Sequence, residues 1–252
     1  MEVKVKFYFK HYRFFIFILF SLFLISCKAK YRYNVGDIIL DDGRVIAPSD
    51  FDNYEGNANP IAVIFSTTGG HKEESSRVLG VGLMPSEQLV FTPQESKGFI
   101  TNILANQTIV VAQGFDISEG QYNNDGFFGL IDGRKSWENI GLYDSNAKKS
   151  FADYPAYDYA VNYGKNNNFT KFKKGWYLPT ASEAYELAEN NELIQNSLKK
   201  CGAEDLQAIV WTSSQCYGAQ ENEFVVDLMD ASVDRGFKQM EYKVYSIYCF
   251  AD

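Results

Sequence analysis

The sequence predicts a domain that combines short strands with a few helices, and three observations support this prediction. Ile61–Phe65 is a continuous apolar run of strand length, which is typical of a buried strand. Asp41-Asp42-Gly43 separates two further apolar runs and predicts a hairpin, because glycine adopts positive φ at little cost. Thr180 and Glu183 form a capping-box pattern ahead of apolar residues at helical spacing, which predicts the start of a helix.

Residues 1–26 have the pattern of a signal peptide. Four basic residues precede Phe14–Ile25, an apolar run that is too short to span about 30 Å of hydrocarbon. Leu24-Ile25-Ser26-Cys27 then resembles the cleavage box of a bacterial lipoprotein, so we expect Cys27 to be acylated with chains such as palmitate. The alternative is an uncleaved anchor helix. Either way the remainder lies outside the cytoplasm, and Lys28 favours the outer membrane.

The composition of the chain after this signal limits the classes of partner that it can bind through charge. The remaining 226 residues carry 20 Lys or Arg and 31 Asp or Glu, a net charge near −11. This acidity argues against nucleic acid, whose affinity depends on cationic contacts to phosphate. It also argues against electrostatic docking on anionic lipid, so the acyl chains should supply the membrane link.

Three further cysteines follow the lipidation site, at Cys201, Cys216 and Cys249. An extracytoplasmic location permits a disulfide among them, and an odd number leaves at least one thiol unpaired. A reducing host would leave all three as thiols. Zinc is not expected, because the sequence has no CxxC pair and His71 is the single histidine after the signal.

The rest of the chain divides into a tether over residues 27–36 and a single domain over residues 37–252. Residues 48–60 and 116–163 are predicted to be loops, with a helix near 154–163. Gly202 is predicted to end a second helical segment after the capping box. Further strands are predicted from apolar runs at 78–84, 108–112, 209–212, 224–229 and 244–250, and a short helix at 95–104. The last strand has few polar interruptions and is expected to be central in its sheet.

Several segments in this order resemble the Lcl C-terminal-like domains of bacterial surface lipoproteins. The most specific are Gly175–Glu183, with the letters GWYLPTASE, and Val210–Ser214, with the letters VWTSS. The resemblance covers residues 35–252. It implies an α+β domain of the C-type-lectin-like fold, with small twisted antiparallel sheets, two flanking helices and long loops. Some members of the group bind collagen, other host matrix or glycans. Trp176 and Trp211 in these segments are interpreted as core aromatics rather than sugar platforms.

The sequence offers no catalytic constellation. His71 would have to serve any Ser-His-Asp or Cys-His arrangement, yet it lies in a polar turn. Asn123–Gly126 is rich in oxygen ligands but matches an ordinary turn better than a calcium loop. Glu221-Asn222-Glu223 lacks the proline of calcium-dependent lectins. We therefore expect no metal, no cofactor and no enzymatic activity.

Three hypotheses for the function follow. The first is a surface lipoprotein with a non-catalytic, adhesin-like domain that recognises a protein or glycan of a host or neighbouring cell. The second is a structural or accessory subunit of a cell-envelope assembly. The third is an enzyme, which would need a cleft with perturbed carboxylates or a reactive thiol.

Overall fold

The computed structural model describes residues 32–69, 76–96, 111–112, 127–128, 132–145, 147, 149, 151–216 and 219–252. Within Tyr33–Asp252, which forms one unit, four antiparallel sheets are combined with helices. The prediction of a mixed α+β architecture is therefore confirmed. The strands are β1 (Ile38–Leu40), β2 (Val45–Ile46), β3 (Pro60–Ser66), β4 (Val78–Gly82), β5 (Leu89–Val90), β6 (Val111–Ala112), β7 (Phe127–Phe128), β8 (Ile209–Gln215), β9 (Asn222–Asp227), β10 (Val233–Phe237), β11 (Glu241–Tyr242) and β12 (Ile247–Ala251). The helices are α1 (Pro48–Phe51), α2 (Arg134–Tyr143), α3 (Pro155–Asn166), α4 (Ala181–Glu189) and α5 (Asn191–Lys200).

The largest sheet has five strands in the order β12-β4-β3-β1-β2. The predicted hairpin is confirmed, since Ile38 pairs with Ile46 across the turn and Gly43 has a φ of 90°. All pairings in this sheet are antiparallel. The sheet therefore joins strands from the beginning and the end of the domain.

Alternation of side chains along these strands builds a separate core on each face of the sheet. One face carries Val63 and Phe65 and packs with Leu187 of α4 and Ile194 of α5. The opposite face carries side chains such as Ile64, which cluster with the aromatic residues Tyr163, Phe169 and Trp176. Because both faces are covered, the strand sequences are almost continuously apolar.

The second sheet has three strands in the order β10-β9-β8. A turn at Asp230–Ser232 joins β9 to β10, as predicted, and Ala231 adopts a φ of 59° there. One face of this sheet contributes Trp211 and Val225 to a third core, which α3 covers with Tyr157.

The last strand is not central, and this prediction is wrong. β12 spans only Ile247–Ala251 and lies at an edge of the five-stranded sheet, next to β4. Its outer side is covered at one point, where the backbone groups of Ile247 and Tyr177 exchange two hydrogen bonds of 3.0 and 3.1 Å. Ile247 is buried and the next four residues are half-buried, so the apolar character of β12 reflects side-chain packing on both faces rather than a central position.

The helix content also differs from the expectation of two flanking helices. In the described ranges, α2, α3, α4 and α5 each have nine or more residues. α2 lies inside the stretch that was predicted to be long loops, and the short α1 lies inside the predicted loop at 48–60. Frequent Gly, Asn and Asp around α2 masked its helical spacing. The predicted helix at 95–104 falls largely outside the described residues, and only residues 111–112 of the predicted strand at 108–112 are described, as β6.

We predict that Gly82→Ala lowers the free energy of unfolding by about 1–3 kcal/mol. A Cβ at Gly82 would approach the ring of Tyr163 to 2.6 Å. That ring is fixed by burial and by a 3.0 Å hydrogen bond that its hydroxyl accepts from the amide of Met84. Urea unfolding measured in the Tyr163→Leu background provides the control. The added cost of Gly82→Ala should shrink there, and an unchanged cost would contradict the steric explanation.

Candidate functional site

The first polar cluster of the domain is centred on Glu183, in the first turn of α4. Its side chain has no exposed surface. The predicted capping box is confirmed: the Thr180 hydroxyl accepts from the amide of Glu183, and the Thr180 amide donates to Glu183 Oε2 at 2.9 Å. One role of Glu183 is therefore to cap the N-terminus of α4 together with Thr180.

The same carboxylate also accepts hydrogen bonds from distant parts of the chain. Arg77 Nη1 donates to Glu183 Oε1 at 2.9 Å and the Tyr177 hydroxyl donates at 3.0 Å. The amide of Gly133, at the start of α2, donates to Oε2 at 3.2 Å. A Cβ at Gly133 would approach the carbonyl oxygen of Leu178 to 2.5 Å, so only glycine fits there without displacement. The buried charge is thus matched by a guanidinium and several donors, as a stable buried ion requires.

A chain of ion pairs leads from this cluster to the surface. Arg77 Nη1 lies 3.3 Å from Asp132 Oδ1, and Asp132 Oδ2 lies 2.7 Å from Arg134 Nη2. Arg134 then pairs at 2.9 Å with Asp252. Hydrogen bonds to Asp132 and Asp252 raise the pKa of Arg134, and Arg134 holds the pKa of Asp252 below its ordinary value. The network links the residue before β4, the start of α2, the first turn of α4 and the residue after β12.

The second polar cluster contains the buried pair Glu223 and Lys238. Their side chains are 0% and 1% exposed, and Lys238 Nζ lies 3.8 Å from Glu223 Oε2. Among the described residues, no hydrogen bond reaches either carboxylate oxygen of Glu223. Burial raises the pKa of Glu223 to about 8, against the lowering effect of Lys238, and burial lowers the pKa of Lys238. Glu223 can therefore hold a proton near neutral pH.

Aromatic rings and hydroxyl groups surround this pair. Lys238 Nζ lies 5.9 Å from the centroid of the Phe91 ring, and that ring packs against Tyr157 and Trp211. The Tyr157 hydroxyl is buried near Ser136 and Ser213, and its pKa is raised by burial and by the charge of Glu223. The low polarity of this environment explains the shifted pKa values.

Neither buried cluster forms an open catalytic cleft. Glu183 and Glu223 are both fully covered, so a substrate has no direct access to either carboxylate in this structure. Ser136 and Ser213 lie beside Tyr157 and share a hydrogen bond of 3.0 Å between their hydroxyl oxygens, but both are also buried. The two clusters join distant parts of the chain, and their carboxylates are held in the interior.

Among the described residues, a polar groove lies beside β8, β5 and β11. It has a volume of about 280 Å³. Tyr242 forms part of its lining and packs edge-on against Trp211, with ring centroids 4.9 Å apart. The remaining lining residues supply amide, carboxylate, ammonium and small apolar groups: Gln88, Gln207, Ala208, Ile209, Glu241 and Lys243. We refer to these seven residues as the Tyr242 groove.

Of the residues singled out from sequence, the two tryptophans lie among the described residues, whereas the lipidation site does not. Trp176 and Trp211 are 2% and 0% exposed, and their indole N–H groups donate to the carbonyl oxygens of Phe172 and Leu89. Their interpretation as core aromatics is confirmed. Cys27 lies outside the described residues, so its lipidation stays a prediction.

The three remaining cysteines are free thiols in the structure. Cys216 is buried, whereas Cys201 and Cys249 are partly buried. A disulfide among them stays a prediction. Burial raises the pKa of all three thiols, to about 12 for Cys201 and Cys249.

The remaining candidates from sequence fall partly outside the described residues. His71 and Asn123–Gly126 are not described. Glu223, the last residue of the segment compared with a calcium loop, is buried beside Lys238 instead. Across the described ranges, no group of three or more His, Cys, Asp or Glu side chains has the arrangement of a metal site. No helix in those ranges has the length and apolar character needed to cross a membrane.

Sequence reasoning missed the Tyr242 groove and the Glu223–Lys238 pair. The groove forms because strand pairing, such as that of Tyr242 with Leu89, joins parts of the chain far apart in sequence, whereas Glu223 and Lys238 meet across the β9–β10 hairpin. The signal for Glu223 was a charged residue directly before the apolar run Phe224–Val226 of β9, where a fully buried charge is unusual.

We predict that the domain becomes less stable as the pH rises from about 5 to 8. Burial raises the pKa of Glu183 to about 7 and that of Glu223 to about 8. Between the ordinary and the raised values, the folded chain binds more protons than the unfolded chain, so stability is present at the acidic end and is lost as the pH rises.

Chemical unfolding at several pH values measures this dependence. Glu223→Gln removes one titrating group and should flatten the slope of the unfolding free energy against pH. The loss of unfolding free energy over this range should become smaller by about 1 kcal/mol or more. Glu221→Gln changes an exposed neighbour and should leave the slope as it is. A wild-type domain that gains stability over this range would contradict the prediction.

We also predict that the thiols of Cys201, Cys216 and Cys249 react slowly in the folded state. Their raised pKa values leave little thiolate at pH 8. Alkylation by iodoacetamide should be at least about 30-fold slower than in urea. Intact mass after alkylation in urea without reductant distinguishes three thiols from one disulfide and one thiol. A rapidly labelled cysteine in the folded domain would contradict the prediction and support the enzyme hypothesis.

Comparisons with known proteins give one structural likeness. No protein-family model matches the chain, and no curated protein matches it. The chain is similar to a fimbrial protein from Bacteroides ovatus ATCC 8483, whose crystal structure superposes with a TM-score of 0.49 at 17% sequence identity. The superposition covers 86% of this chain and 48% of that protein, so the chain spans about half of its length.

Proposed function

We propose that the chain is an exported lipoprotein whose domain binds a glycan or protein of a host or neighbouring cell in the Tyr242 groove, without catalysis. The observation that carries the proposal is the lipoprotein pattern at Leu24–Cys27, which links a globular domain to the outer side of a membrane. Acyl chains on Cys27 would hold it there, with the outer membrane or the cell surface as the expected location.

The chemistry of the Tyr242 groove supports recognition of a polar ligand. The side chains of Gln88 and Gln207 are exposed, and each amide can donate and accept hydrogen bonds. Glu241 and Lys243 add an acceptor and a donor, while the ring of Tyr242 offers a flat apolar surface. Amides beside an aromatic ring suit the alternating hydroxyl and C–H surfaces of a sugar, so a glycan is the favoured ligand.

The placement of the reactive groups supports binding rather than catalysis. Glu183 and Glu223, whose pKa values are raised into the neutral range, are covered by the domain instead of facing a cleft. The three thiols have raised pKa values, which is opposite to the shift that activates a nucleophilic cysteine.

We further propose that the domain belongs to the C-type-lectin-like group. The resemblance of Gly175–Glu183 and Val210–Ser214 to the Lcl C-terminal-like domains supports this assignment. The first segment supplies the α4 capping box and the second supplies β8, so the resembling residues are structural ones.

A role as a structural or accessory subunit of an envelope assembly is the second candidate. β10 lies at an edge of the three-stranded sheet, and Phe237 at its end is 36% exposed. Met240 follows at 51% exposure. An edge strand next to exposed apolar side chains can accept a strand from another protein.

The test uses residues 28–252, which contain the whole unit Tyr33–Asp252. This protein is screened against arrayed glycans and matrix proteins, with and without calcium. For a ligand that binds, Gln88→Ala combined with Gln207→Ala should weaken binding about tenfold, because two hydrogen bonds are lost. Gln94 and Gln239 form an exposed pair joined by a 3.0 Å hydrogen bond, and their double alanine variant is the matched control.

Each outcome of this screen has a distinct meaning. Saturable binding that only the Gln88 and Gln207 variant weakens would support the Tyr242 groove as the site. Binding that both double variants leave intact would place the site elsewhere and contradict the proposal. No binding, together with a stoichiometric partner that co-purifies from detergent extracts, would favour the assembly subunit instead.

A further inference from the structure

A short basic segment stands out in the acidic chain. Between Asp158 and Glu183 the sequence has four lysines and no acidic residue. Three of them, Lys171, Lys173 and Lys174, lie within four consecutive residues and flank Phe172. The positive charge of the domain is therefore concentrated locally, although the chain as a whole is strongly negative.

The structure exposes these three charges. Lys171, Lys173 and Lys174 are exposed, and none has an ion-pair partner among the described residues. The β1–β2 turn carries two acidic residues, Asp41 and Asp42, and Asp42 pairs with Arg44 at 2.7 Å. The Lys171 side chain lies against that turn, because a Cβ at Gly43 would collide with it. The lysine charges are thus left for a partner outside the domain.

Partly exposed aromatic rings lie under the lysines. Phe172 packs edge-on against Tyr248 and Phe250 of β12, with ring centroids 5.3 and 5.4 Å apart. Lys171 Nζ lies 5.6 Å from the centroid of the Phe172 ring. We name the surface formed by Lys171–Lys174, Tyr248 and Phe250 the basic aromatic face. Lysine and half-buried aromatic side chains suit a boundary between water and an apolar phase.

The start of the domain belongs to the same side of the five-stranded sheet. Tyr33 is partly buried and packs on the core cluster that also includes Phe172, Tyr248 and Phe250. Cys27 precedes Tyr33 by six residues. Six extended residues span at most about 20 Å, so acyl chains on Cys27 would hold this side of the sheet close to the lipid.

We propose that the basic aromatic face rests on the anionic surface of the membrane in which the chain is anchored. The ammonium groups of Lys171, Lys173 and Lys174 would lie among lipid phosphates, and the aromatic rings would lie at headgroup level. The inference rests on the proposed anchoring through Cys27. It replaces the expectation, drawn from the negative net charge, that the domain does not dock on anionic lipid. Attraction to a surface depends mainly on the charges that face it, because more distant charges are screened by salt.

The experiment uses the mature lipidated chain, purified in detergent and reconstituted in two kinds of vesicle. One kind is phosphatidylcholine alone, and the other contains about one quarter phosphatidylglycerol. Backbone amide exchange over residues 169–176 is followed by mass spectrometry. We expect exchange there to be at least about fivefold slower on the anionic vesicles, with the difference lost in about 0.5 M salt.

Charge-reversal variants make the test specific. Replacing Lys171, Lys173 and Lys174 by Glu should abolish the difference between the two vesicles. Lys135, Lys149 and Lys199 are exposed on other elements, and their triple Glu variant makes the same change in net charge. This control should keep the protection. Equal exchange on both vesicles in the wild-type protein would overturn the inference.

The experiment also distinguishes two further outcomes: a chain without acyl groups, and a face that binds a soluble polyanion. The intact mass of the protein reports whether Cys27 carries acyl chains, so an absent lipid would count against the proposed anchoring and not against the basic aromatic face. Stronger protection by soluble heparin on neutral vesicles than by the anionic vesicles would overturn the inference and assign the face to a soluble polyanion.

Discussion

The carboxylate of Glu183 accepts hydrogen bonds from three separate parts of the chain: from Arg77, from Gly133, and from Tyr177 and Thr180. A buried carboxylate that loses a partner becomes an uncompensated charge, which costs about 3–5 kcal/mol. The network is complete only when the residue before β4, the start of α2 and the first turn of α4 are all in place. The arrangement of these elements therefore depends on one side chain.

Local patterns predicted the parts of this arrangement that are local in the chain. Thr180 and Glu183 lie three residues apart, so their capping box could be recognised from sequence. Arg77 and Gly133 lie 106 and 50 residues from Glu183, and no spacing rule connects them to it. The edge position of β12 was missed for a related reason, since an apolar strand shows that its faces are buried but not which strands are its neighbours.

The charged residues fall into two groups: buried ion pairs inside the domain, and side chains that are exposed to solvent. Glu183 and Glu223, with their partners Arg77 and Lys238, are buried in the interior of the domain. The lysines of the basic aromatic face and the polar side chains of the Tyr242 groove remain on the surface. Net charge sums the buried and the exposed groups of the whole chain. A negative total therefore says little about the local charge of the surface that a given partner contacts.

The five-stranded sheet includes β1, which begins at Ile38, and β12, which ends at Ala251. Contacts that span almost the whole domain close late, because the intervening chain must first be brought together. While such a chain is being synthesised, β4 can pair with β3 but lacks β12, and Arg134 lacks Asp252, until residues 247–252 have been made. The domain therefore stays incomplete until residues 247–252 have been made, and a partly synthesised chain that ends before them lacks one edge strand of this sheet.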